Sequence, residues 1–177
     1  MKKLLFLLTA IALLSSCDKD GQIFASKDKL PPETQAGANT VGCLVNGKVF
    51  LPHQEGILSP VNCYYQFVKG AYYFSMSYGD MRGNDIKEIS LFNSKMELQI
   101  GQTYPLNQGY NPDIGGGARY YTDLNDKFVT NSVNFGELKI TRIDLSKSIV
   151  SGTFWFDAVN SKGEKVEIRE GRFDWNY

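Results

Sequence analysis

From Val41 onward no window of helical length carries an apolar stripe, and this absence constrains the chain more than any other feature. Short apolar or alternating runs follow one another instead, each stopped by turn residues. Cys43–Val45 and Lys48–Leu51 flank Asn46-Gly47, the strongest short hairpin signal. CYYQFV, AYYFSMSY, KEISLF and ARYYTDL come next, then VNFGELKITRID, IVSGTFWFDAVN and VEIREGRFDWNY. Tyr, Phe, Val and Ile fill these runs, as strands prefer. Lys69-Gly70, Gly79-Asp80, Arg82–Asp85 and Ser161–Gly163 punctuate them, and Ser94–Ile100 has room for one turn of helix at most. About nine strands at this spacing predict an all-β fold, a single antiparallel β-sandwich or barrel-like domain over residues 41–177.

The alternation assigns faces. Phe154, Phe156 and Ala158 share the core side of their strand, which turns Thr153, Trp155 and Asp157 outward. Leu138 and Ile140 oppose Glu137, Lys139 and Thr141. In the last run Phe173, Trp175 and Tyr177 are out of phase with Val166 and Ile168, so a bulge is expected near Gly171.

Ahead of the domain stands a different kind of segment. Lys2 and Lys3 precede an apolar run, Leu4–Leu14, broken only by Thr9, and Ser15-Ser16 lead to Cys17. That is the layout of a secretory signal, and the run is short of the roughly 20 residues a spanning helix needs. Leu14-Ser15-Ser16-Cys17 resembles a bacterial lipobox, so residues 1–16 are expected to be removed and Cys17 to be lipidated and hold the protein to a membrane. With 16 of the 177 residues gone, 161 remain, enough for one domain with a core of its own. The leader holds two of the 19 basic residues, leaving 17 against 19 acidic ones, a balance that gives no electrostatic case for nucleic acid.

Residues 17–40 read as the lipidated cysteine and a flexible tether. The stretch is charged and polar, contains Pro31-Pro32 and shows no period; as a coil its 23 residues after Cys17 would span about 27 Å. The alternative for Leu30–Thr40 is an extended segment packed along the domain. Asp18 and Asp20 resemble the acidic export signal of Bacteroidota surface lipoproteins, which implies an outer-membrane protein displayed outward.

LPPETQAGANTVGCLVNGKVFLP, residues 30–52, resembles the opening of an uncharacterised family of Bacteroidota lipoproteins with a domain of unknown function. ITRIDLSKSIVSGTFWFDAVN and VEIREGRFDWNY are similar to its closing strands. The resemblance implies a secreted, lipid-anchored all-β domain and attaches no reaction to it.

Chemistry-bearing motifs are sparse. Cys43 and Cys63 are left once Cys17 is lipidated, either as a disulfide closing a loop of about 20 residues or as two buried thiols. His53, the single histidine, is too little for a His-rich zinc site and is expected in solvent, so no metal and no cofactor is expected. Asp157, Glu167 and Asp174 are the carboxylates a glycosidase would have to pair, but acids on outward strand faces are ordinarily just solvated, and no catalytic residue is assigned. Asn111–Tyr121 holds three consecutive glycines with no following Lys-Ser/Thr, which predicts a mobile hairpin loop rather than a phosphate cradle.

Aromatic doublets remain. In a strand one member of Tyr64-Tyr65, Tyr72-Tyr73 or Tyr120-Tyr121 must face away from the other. Trp155, Tyr64, Tyr73 and Tyr120 are the candidates for an outward platform that would suit a glycan or protein ligand; the alternative is that both faces are buried in a two-sheet core whose rims carry tyrosine. The expectation is a non-enzymatic binding or accessory module. The alternative is a structural envelope lipoprotein packed on another outer-membrane protein, and a hydrolase comes last.

Overall fold

A computed structural model of the chain describes residues 29–54, 57, 59–83, 86–109, 113–122 and 126–177. The leader, Cys17 and the first part of the expected tether lie outside the described residues. Eleven strands and no helix are found among the described residues: β1 (Thr40–Val45), β2 (Lys48–Phe50), β3 (Val61–Val68), β4 (Ala71–Asp80), β5 (Lys87–Ser94), β6 (Thr103–Gln108), β7 (Gly115–Tyr121), β8 (Lys127–Val129), β9 (Gly136–Asp144), β10 (Ile149–Val159) and β11 (Lys165–Asn176). They form one sheet in the order β2-β1-β11-β10-β9-β6-β7-β5-β4-β3, antiparallel except between β6 and β7. The short β8 pairs with both β7 and β10 and so closes a ring β10–β9–β6–β7–β8. The expected all-β, largely antiparallel architecture is what forms.

Two strands were not legible as such. β6 carries Pro105, which removes a ladder donor and argues against a central strand. It survives because the pairing on its β7 side is irregular, with Leu106 opposite Gly116 and Gln108 opposite Gly117. The glycine run is the other half of that junction and corrects the loop expected there: Gly115–Gly117 begin β7. A Cβ on Gly116 would sit 2.6 Å from the Pro105 carbonyl oxygen, and one on Gly117 2.3 Å from that of Gln108. β8 is only three residues long. Ser94–Ile100 forms no helical turn. Tyr65 Oη accepts from the Leu98 amide (3.0 Å), and Tyr104 Oη accepts from the Gln99 amide (2.7 Å) and donates to the Glu97 carbonyl (2.9 Å), tying the segment down as irregular chain.

The sheet folds over on itself around one core. Phe154, Phe156, Ala158, Leu138 and Ile140 point inward, as their alternation requires. Phe74 of β4 stacks on Phe173 of β11 with ring centroids 5.9 Å apart, and Phe50 meets Tyr78 at 5.7 Å, so the β3–β4–β5–β7 half faces the β1–β11–β10 half. The bulge expected near Gly171 is present: β10 pairs Phe154 with Gly171 and Phe156 with Ile168, leaving Arg169 and Glu170 opposite Trp155. Glu170 takes the positive φ of 51° that the bulge demands. The slip is what brings Phe173 into the core alongside Val166 and Ile168.

Residues 30–39 lie against the domain without joining the sheet. Thr34 Oγ1 and the amides of Ala36, Gly37 and Ala38 all donate to the buried Asp174 carboxylate at 2.7–3.1 Å, and Ser151 Oγ donates to it from β10 at 2.7 Å. Pro31 packs beside Gly42, where a Cβ would come within 3.2 Å of its Cδ. For Leu30–Asn39 the structure therefore has the packed segment, not the tether.

Candidate functional site

Register places the strand residues of the site. On the face of β3–β4–β5–β7 that turns away from the core, Tyr64, Ser75, Phe92 and Gly117 are paired in succession across the four strands. The row on one side of it is Gln66, Tyr73, Ser94 and Gly115; on the other it is Asn62, Ser77, Ser90 and Arg119. Tyr64 of β3, Tyr73 of β4 and Phe92 of β5 thus stand among the small side chains of Ser75, Ser90 and Ser94, and the result is a cleft of about 380 Å³. Tyr64 and Phe92 are two strand spacings apart, about 10 Å, with only Ser75 between them. Phe92 owes its position to Gly117, whose missing Cβ would lie 2.7 Å from its ring. Lys95 and Asp113 complete the cleft at the end where β7 begins.

The charged end opposite is locked internally. Arg119 Nε donates to Ser90 Oγ (3.1 Å), Ser90 Oγ donates to Glu88 Oε1 (2.7 Å), and an Arg119 Nη lies 3.5 Å from the same carboxylate. The guanidinium also lies over the Tyr121 ring, 4.9 Å from its centre. This network explains how Ser90, on an outward position, is almost wholly buried.

Of the four aromatic residues expected on a ligand surface, Tyr64 and Tyr73 are brought together in this cleft. Tyr64 is 39% exposed, so its ring is available. Tyr120 is corrected: it is buried, its ring 6.0 Å from Phe50 and 6.2 Å from Phe128, and Tyr121 is the outward member of that doublet. β7 faces the core with Ala118 and Tyr120 because Arg119 and Tyr121 are claimed by the Glu88 side. Trp155 is outward but belongs to another surface. Its Nε1 donates to Glu137 (3.2 Å), Phe135 tilts against it at 5.8 Å, and Arg169 lies over it at 5.5 Å.

Phe92, the serines, Lys95, Asp113 and Arg119 were not singled out from sequence. The alternation in AYYFSMSY and KEISLF carried part of the signal, since it puts Tyr73, Ser75 and Ser77 on one face and Ser90 and Phe92 on one face. Which strands are neighbours was the missing information.

The other candidate groups lie outside the cleft. Cys43 and Cys63 are free thiols in this structure, and burial pushes each up to about 12. His53 is half-buried beside Asp80, donating its amide to the Gly79 carbonyl at 3.0 Å. Asp157 and Glu167 both turn to Arg169, at 2.6 and 3.6 Å, while Asp174 is enclosed by residues 34–38. Asp157 and Glu167 are thus cross-strand neighbours on one guanidinium, Asp174 lies apart from them, and none of the three lines the cleft. Among the described residues no three His, Cys, Asp or Glu side chains gather as metal ligands would.

A family model described as a domain of unknown function (DUF6252) matches residues 82–174, just over half of the chain. The matched span runs from the β4–β5 connection into β11. It contains Ser90, Phe92, Lys95, Asp113 and Arg119 of the cleft but not Tyr64, Tyr73 or the opening motif at 30–52. No curated protein and no solved structure matches the chain.

Proposed function

The chain belongs to the family described as a domain of unknown function (DUF6252), and from that premise we propose that it is a lipid-anchored, non-enzymatic binding module of the cell envelope that holds its ligand in the Tyr64–Ser75–Phe92 cleft. One observation carries the reading: a cleft lined by the rings of Tyr64, Tyr73 and Phe92 with serine side chains among them, on a face of four paired strands. A binding site built on paired strands is held in place before the ligand arrives, which lowers the entropy lost on association. Asp113 is the one acid in the described lining, and a single carboxylate suits recognition better than acid–base work that needs a pair. The finer address, a Bacteroidota outer-membrane lipoprotein displayed outward, rests on Leu14–Cys17, on Asp18 and Asp20, and on the 30–52 motif.

The test is to probe arrays of purified oligosaccharides and of synthetic peptides with the full chain in detergent. Ser75→Trp fills the cleft floor, and Thr153→Trp adds the same bulk on the far face as a control. Binding lost with the first and kept with the second supports the reading. Binding that ignores Ser75→Trp, or none on either array, sinks it.

A second reading, a structural lipoprotein packed on another outer-membrane protein, draws on a different feature. β3 is an edge of the sheet, eight residues without a charge, a proline or a glycine, and it exposes Phe67 and Val68. Such an edge offers a ready ladder to an incoming strand. Phe67→Lys is expected to break a β3-mediated crosslink to an envelope protein while leaving cleft binding intact.

A further inference from the structure

We infer that the ligand of this cleft is an uncharged saccharide, one or two sugar rings seated on Ser75 beside Tyr64 and Tyr73; the inference rests on the binding reading above and names its ligand class.

Three features select that chemistry. First, the cleft lies on the face of the sheet and not at its edge. β4 and β5 are paired on both sides, so their main-chain groups are spent on neighbouring strands. Recognition there must pass through side chains, which disfavours an extended peptide that binds by adding a strand. Second, the groups on offer are aromatic faces and hydroxyls. Ring faces are electron-rich and attract the polarised C–H groups on the flat side of a sugar, as they do the positive edges of other rings. A serine or tyrosine hydroxyl both donates and accepts, matching a ligand whose own groups are hydroxyls that do the same. The short Ser75 side chain, next to Tyr64 across the ladder and two residues from Tyr73 along β4, leaves the cleft floor low enough for a ring to lie on it.

Third, the charges balance. Arg119 is neutralised in place by Glu88 and capped by Tyr121, so it offers no spare cation to an anionic ligand. Lys95 and Asp113, one of each sign, stand at the other end. A uronate or a phosphorylated ligand would find no net positive potential. A neutral polyol can instead take a donor from Lys95 and an acceptor from Asp113, and such charge-assisted hydrogen bonds are the stronger kind. The volume of about 380 Å³ lies within the range of roughly 300–1,000 Å³ typical of small-ligand sites.

The experiment is isothermal titration of the full chain in detergent with three probes. They are a set of neutral cello-, xylo- and manno-oligosaccharides, an oligogalacturonate, and a neutral tyrosine-containing peptide. Each is run at low and high salt against wild type, Tyr64→Ala, Ser75→Trp and the Thr153→Trp control. The expected result is that at least one neutral oligosaccharide binds and that salt leaves its affinity unchanged within twofold. Tyr64→Ala should weaken it tenfold or more, and Ser75→Trp should abolish it. Oligogalacturonate binding tenfold tighter than every neutral sugar and weakened by salt, or binding of the peptide alone, overturns the saccharide assignment while the cleft stands, provided Ser75→Trp still blocks it. If no probe responds to Ser75→Trp, the assignment and the cleft both fall. Tyr64→Ala, which only trims an exposed edge-strand side chain, keeps the test valid if Ser75→Trp does not fold.

Discussion

The Asp174 carboxylate collects five donors, from Thr34, Ala36, Gly37, Ala38 and Ser151, in a site almost closed to solvent. Burial alone would push its pKa up; the hydrogen bonds from Ser151, Thr34 and the amides of Ala38 and Ala36 outweigh it and hold the group at about 2. The folded value lies below the ordinary 3.8, so the ionised form belongs to the folded chain. Its stabilisation is complete above about pH 4 and is lost as the pH falls through 3.8 towards 2. Urea unfolding at pH 6 and pH 3 should therefore show a falling midpoint, and Asp174→Asn should flatten that dependence while costing about 2 kcal/mol at pH 6. An unchanged slope in Asp174→Asn would place the pH dependence elsewhere, with Asp144, also held at about 2 by Ser146 and Arg142, as the next residue to vary. The two thiols give a second residue-scale prediction. Pushed to about 12 by burial, Cys43 and Cys63 carry almost no thiolate near neutrality and should resist alkylation in the folded chain. In denaturant both should alkylate, and under the proposed lipidation Cys17 should not, because a thioether would leave it no thiol; a third alkylated cysteine in the protein purified from membranes would refute lipidation.

At the scale of the element, β11 shows what sequence does and does not disclose. The phase slip between Ile168 and Phe173 was written in the order of apolar residues, and the bulge at Arg169–Glu170 is its structural form. Gly171 is needed there because Phe154 covers it: a Cβ would sit 2.4 Å from the Phe154 ring. Gly171→Ala is expected to destabilise by about 2 kcal/mol through overpacking, read as a lowered thermal midpoint, whereas Gly163→Ala in the β10–β11 turn meets no atom and costs only the strain of its positive φ of 81°. Equal losses in the two variants would show that backbone conformation, not the Phe154 contact, governs Gly171. By contrast, β6 and the glycine start of β7 were hidden. Pro105 and Gly115–Gly117 each argue against a strand taken singly, and only their juxtaposition, carbonyl against missing Cβ, makes them compatible. The cleft was half legible for the same reason. Alternation within a strand turns Tyr64 and Tyr73 outward, but pairing between distant strands decides that Ser75 and Phe92 stand beside them while Trp155 does not, and nothing local says that Tyr120 rather than Tyr121 faces the core.

For the whole molecule, the two outer faces carry different features. Inner faces meet through Phe74 and Phe173, so the surface of β3–β4–β5–β7 and that of β1–β11–β10 point in opposite directions. Residues 30–39 lie on the second of these, pinned by Asp174 and Gly42, and the cleft opens on the first. The described chain therefore begins, at Lys29 and Leu30, on the side away from the cleft, which suits the proposed reading of a tethered module whose site meets ligands arriving from outside. Protease shaving of intact cells that express the full chain tests this at the same scale. The wild-type domain should be released from whole cells. In the Cys17→Ala control it should be missing from the washed cell surface before any protease is added, because the tether is gone. Release only after the outer membrane is opened would put the domain on the periplasmic side. A ligand would then have to be a periplasmic saccharide, and the cleft would serve the inside of the envelope.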